Sequence, residues 1–103
     1  MSDDLHTVTV PPSIANLVPG FLENRRKELA VLQAAAGAGD FPRLSYLAHN
    51  LKGVAGSYGF SYMSDIGLAL EQAAAEADQV VIEQQLHLLT DHISRLQVVS
   101  DDS

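Results

Sequence analysis

His49 and Lys52 stand three residues apart, with Gly53 directly after the lysine and Gly56 one turn further on. A neutral imidazole nitrogen is a competent nucleophile near pH 7, because the reference pKa of histidine is about 6.5. Attack on phosphorus gives a phosphoramidate of high transfer potential, so the step can run both ways. Phosphoryl transfer asks chiefly for positioning and charge neutralisation, and a lysine one helical turn from the imidazole supplies the second. The sequence has no glycine-rich phosphate loop, no Walker-type lysine and no acidic cluster for magnesium. ATP chemistry and the metal are therefore expected in partner proteins.

The element carrying these residues is predicted to be a helix. At about 100° per residue, with Leu51 as origin, Leu44, Leu47, Ala48, Val54, Ala55 and Tyr58 fall within roughly 60° and form one apolar face. His49 falls about 160° away, Gly53 a similar angle on the other side, Gly56 about 140° away and Lys52 at about 100°. The imidazole is thus predicted to face solvent beside an ammonium that can reach the same ligand. Glycine costs a helix interior about 1 kcal/mol relative to alanine. Two glycines beside an exposed histidine imply that a side chain there would obstruct an approaching partner.

Around this helix the punctuation predicts three more. Residues 1–12 read as a mobile lead, and Thr7 to Val10 alternates for too short a stretch to count as a strand. Ser13 is expected to cap a short helix through Leu17 and Val18. Pro19 suits the first turn of a long helix to about Ala36, with Phe21, Leu22, Leu29, Leu32 and Ala36 on one stripe. Gly37 and Gly39 end it; Asp40 and Pro42 start the histidine helix, which stops at Gly59. Ser61 is expected to cap the next, with Met63, Ile66, Gly67, Leu70, Ala74 and Ala77 on a shared face. Asp78 begins the last, with Ile82, Leu86, Leu89, Ile93 and Leu96, and residues 98–103 read as a frayed acidic tail. Four long helices with short connections imply an all-α fold, an antiparallel up-down-up-down four-helix bundle with a short N-terminal helix, over residues 13–97.

Composition sets the outer bounds. At 103 residues, 47% of them hydrophobic, the chain fits one domain with one modest core. No segment approaches the ~20 apolar residues of a membrane span, and the acidic start Met1-Ser2-Asp3-Asp4 is unlike a secretory signal. With no cysteine, disulfides and thiolate metal sites are excluded, which fits a cytoplasmic location. The net charge of −7 argues against nucleic acid and against an anionic membrane surface, and leaves a partner protein as the better expectation. Met1 and the polar tail lead us to expect a free-standing monomer.

The run from His49 to Gly59, followed by Leu70-Glu71, resembles the signature of histidine-containing phosphotransfer (Hpt) domains of two-component phosphorelays. In that family a histidine, lysine and glycine at relative positions zero, three and four precede small residues, a glycine-ended turn and a helix ending in a Leu-Glu pair. The motif covers about residues 44 to 74, and the helices around it extend the likeness over nearly the whole chain. The resemblance implies a phosphorelay intermediate that exchanges phosphoryl groups with receiver-domain aspartates and has no ATP-dependent kinase activity. Its partners would be response-regulator receivers and a hybrid sensor kinase, with no cofactor in this chain and magnesium in the receiver.

On that likeness His49 is the phosphoacceptor, Lys52 neutralises the phosphoryl charge, and Gly53, Gly56, Ser45 and Tyr46 belong to the docking surface. Glu71 matches a position that can hydrogen-bond the other imidazole nitrogen; a simple solvated charge is an equal reading. An extra basic residue found in some relatives is replaced here by Ala75, so Lys52 acts alone unless Arg25, on the apolar stripe of its own helix, lies near. Gly67 reads as a helix-packing glycine, whereas the angle of Gly56 opposes that role. His87 and His92, about 140° apart on their helix, do not form a metal pair, and with His6 they read as non-functional. The competing function is a helical docking or adaptor module that binds a receiver or kinase without transferring phosphate. Docking alone needs neither His49 nor Lys52.

Overall fold

Proline, glycine and aspartate punctuation divides the chain much as its pattern suggests. The computed structural model describes residues 5–100. In chain order the elements are β1 (His6–Val10), α1 (Pro12–Ala15), α2 (Val18–Gly37), α3 (Phe41–Ser57), α4 (Ser61–Ala75), α5 (Gln79–Arg95) and β2 (Leu96–Ser100). Pro19 and Pro42 sit in the first turns of α2 and α3, where a missing N–H leaves no helical bond unmade. The Asp40 carboxylate accepts from the Arg43 N–H at 3.3 Å, and that of Asp78 from the Val81 N–H at 3.2 Å. Each caps its helix by satisfying an otherwise orphaned donor. Gly39 and Gly59 turn the chain with φ of +67° and +84°, a region open to glycine because it has no Cβ.

Helix α3 packs most extensively on α4, α4 on α5, and α2 on both α3 and α5. Leu44, Ala48, Leu51 and Ala55 of α3, Met63, Ile66 and Leu70 of α4 and the Ile82–Leu86–Leu89–Ile93 stripe of α5 are all buried in one hydrophobic core. Phe21 of α2 is buried, stacked against Tyr58 with ring centroids 4.5 Å apart and tilted against Phe60 at 4.7 Å. Burial of these faces is the main force holding the helices together.

Several sequence expectations need correction. The chain is mostly helical, consistent with the all-α expectation, but it adds a small sheet: β1 and β2 form a parallel two-stranded pair in which His6 pairs with Leu96 and Val10 with Ser100. The lead expected over residues 1–12 is therefore a strand from His6 onward, held by the burial of Val10 and partial burial of Val8. The tail expected over 98–103 is likewise β2 up to Ser100; residues 1–4 and 101–103 lie outside the described residues. Leu96 belongs to β2 and not to the α5 stripe. Pro11 takes the cap position expected of Ser13, and Phe60 that expected of Ser61, neither with a side-chain bond. Ala77, placed on the α4 face by its spacing, lies beyond the helix, exposed and at φ 53°. Among the described residues no helix is long and apolar enough to cross a membrane.

Candidate functional site

The apolar face of α3 is buried against α4, and this alone turns His49 outward, its side chain 60% exposed. Its Nδ1–H donates to Glu71 Oε2 of α4 at 3.1 Å, which leaves Nε2 outside that bond. Lys52, one turn on, places Nζ 3.3 Å from the other oxygen, Oε1, of the same carboxylate. One carboxylate thus bridges the imidazole and the ammonium, and Glu71 is no free solvated charge. Partial burial opposes ionisation of Glu71, but Lys52 and then His49 outweigh it and hold the carboxyl below the ordinary glutamate value.

The two glycines beside the histidine differ. A Cβ at Gly53 would meet nothing within 4 Å, so that surface is open. At Gly56 it would meet Ser64 Oγ at 3.3 Å, so Gly56 is exposed yet skirts α4, closer to a packing role than its angle suggests. Tyr46 is well exposed and Ser45 half-buried, one turn before His49. Ala75 is exposed. Arg25 is buried on α2, where its Nη2 donates to Glu28 at 3.0 Å and its guanidinium lies 4.9 Å from the centre of the Phe21 ring. None of its described contacts reaches His49 or Lys52.

Two features escaped the sequence reading. Ser64 Oγ donates to the Lys52 carbonyl at 2.9 Å, tying α4 to α3 beside the site. At the sheet end of the molecule, the Nδ1 atoms of His6 and His92 lie 2.6 Å apart, one ring donating to the other, with the Tyr62 ring edge-on to both. His92 stands three residues after Leu89, about 60° round the helix, a position close enough to the apolar stripe of α5 to signal burial.

Comparison with protein-family profiles matches residues 16–98 to the Hpt domain. The chain belongs to the Hpt domain family. No curated protein and no solved structure gives a significant match to it. Hpt domains are phosphocarrier modules of two-component signalling, distinct from kinases, and they interact with receiver domains and kinases. The Hpt match takes in α2 to α5 and with them His49, Lys52, Gly53, Gly56 and Glu71, while β1 and α1 precede it.

Proposed function

We propose that this Hpt domain is a phosphorelay intermediate that accepts a phosphoryl group on His49 from a receiver aspartate and passes it to another receiver aspartate. The Nε2 lone pair attacks phosphorus, the N–P bond forms, and the P–O bond to the receiver aspartate breaks to release its carboxylate. The Nδ1 proton stays on the ring, which becomes cationic, and Glu71 is placed to balance that charge. Lys52 neutralises the phosphoryl oxygens, and Gly53, Gly56, Ser45 and Tyr46 form the surface on which the receiver docks. Magnesium belongs to the receiver. We also read the four long helices as running up, down, up and down, because each connection is short.

The observation that best supports this reading is the bond from His49 Nδ1 to Glu71, with Lys52 on the same carboxylate. A bond at Nδ1 selects the tautomer whose Nε2 carries the free lone pair. A module that docks a receiver without transfer would use the exposed Tyr46 and the open Gly53 surface equally well, but gains nothing from an oriented imidazole. The test is incubation with a panel of phosphorylated receiver domains and, separately, with ATP. Acid-labile, alkali-stable phosphate acquired from a receiver and not from ATP is the expected result. Binding without label transfer from any receiver would favour the docking module.

A further inference from the structure

Three residues of α4, at Ser64, Gly67 and Glu71, share one face of that helix, and three of α3, at His49, Lys52 and Gly56, share the opposing one. Their contacts run in reverse order along the two helices: Gly56 lies by Ser64, Lys52 by Gly67, and His49 by Glu71. The closest of these approaches is at Gly67. A Cβ there would stand 2.8 Å from the Lys52 backbone nitrogen, 2.9 Å from its Cα and 3.1 Å from the Ala48 carbonyl oxygen. These are backbone atoms of a helix, so they cannot swing aside as a flexible side chain would. On the same turn, the Ser64 hydroxyl grips the Lys52 carbonyl at 2.9 Å. The α3–α4 spacing is therefore fixed at Lys52, one turn from both His49 and Glu71.

From this we infer that Gly67 and Ser64 are positioning residues for the phosphoacceptor: they clamp α4 onto the Lys52 backbone so that Glu71 reaches His49 Nδ1. The inference rests on the relay reading for its consequence, though not for its geometry. An alanine at position 67 must open the gap from 2.8 Å towards the 3.4 Å of ordinary contact. Carried one turn along α4, an opening of that size takes the 3.1 Å bond from His49 past hydrogen-bonding range. The ring then rotates and exchanges tautomers, and the population with a lone pair on an aimed Nε2 falls. Neither residue touches the reacting atoms; both act through Glu71.

The test uses the whole chain, with ring-nitrogen NMR of His49 and single-turnover label transfer from a phosphorylated receiver that loads the wild type. Gly67→Ala should shift the ring spectrum from one tautomer to a mixture. It should also slow transfer roughly tenfold, since misplacement by about 1 Å can cost up to about 100-fold. Ser64→Ala, which loosens the clamp without adding bulk, should move both readouts in the same direction by a smaller factor, and it carries the test if Gly67→Ala does not fold. In a Glu71→Ala background either substitution should have no further effect on the ring or the rate. A wild-type tautomer in the folded variants overturns the inference, and so does an undiminished effect of either substitution when Glu71 is absent. If the wild type takes no phosphate from any receiver, the relay reading fails, while the ring spectra still decide whether the clamp operates.

Discussion

His49 stands on the α3 surface with its side chain 60% exposed and its Nδ1 on a carboxylate, whereas His92 sits in the last turn of α5 at 2% exposure with its Nδ1 on a second imidazole. Around His49 the neighbours are an anion, a cation and open glycine surface. Around His92 they are His6, the edge of Tyr62 and the sheet, and its buried Nε2 has no hydrogen-bond partner among the described residues. Burial pushes His92 down to about 4, with the nearby His6 adding to the effect and Asp91 opposing it. The same side chain is thus held neutral and enclosed at one end and left open to solvent in the middle of α3. The two rings share a residue type and differ in partner and access.

The largest effect that could break this contrast is loss of the acceptor. His49→Gln is expected to abolish label acceptance while leaving the unfolding midpoint nearly unchanged, because an exposed side chain contributes little to stability. His92→Gln should do the reverse, retaining transfer and lowering the midpoint. Label persisting after His49→Gln would assign the acceptor elsewhere.

Next in size is an effect of pH on stability that belongs to His92. Its folded value of about 4 lies below the ordinary 6.5, so as pH falls the unfolded chain takes up this proton first. The contribution is therefore fully present above 6.5, declines between 6.5 and 4, and is constant below 4. The loss across that window is on the order of 3 kcal/mol. Urea midpoints measured from pH 7 to 4 should show it, and His92→Phe should flatten the profile. Glu71, held below its ordinary value, adds a loss of the same sign, confined to pH below the usual glutamate range.

Smaller effects separate charge from shape beside His49. Lys52→Ala should slow transfer roughly tenfold with little change in receiver affinity, because a charge near the phosphoryl oxygens counts mostly in the transition state. Gly53→Gln keeps the cation and improves helix propensity, yet places a long side chain on the open surface. It should weaken docking and slow transfer together. Unchanged docking would move the receiver surface away from Gly53.

Much of the site helix was legible because a helix face is a local pattern. The period of α3 marks Leu44, Ala48, Leu51 and Ala55 as buried and His49 as exposed, as observed. Asp40 and Asp78 announce their own caps in the same way. What the sequence left open depends on how distant segments meet. The contact between His49 and Glu71 needs the α3–α4 register, which neither helix carries alone, so a bridging carboxylate and a solvated one looked alike. The β1–β2 pairing joins the two ends of the described chain, and a short stretch such as Thr7 to Val10 acquires strand character only through its partner and the burial of Val10. His6 looks like part of a loose lead for that reason, and its contact with His92 is not visible without the strand pairing.

The most direct test of the account observes the ring nitrogens of the four histidines by NMR before and after exposure to a phosphorylated receiver. Phosphorus is expected on Nε2 of His49 alone, with its Nδ1 still protonated and bonded to Glu71 and the His92 signals unmoved. Phosphorus on any other ring, or on Nδ1 of His49, would contradict it.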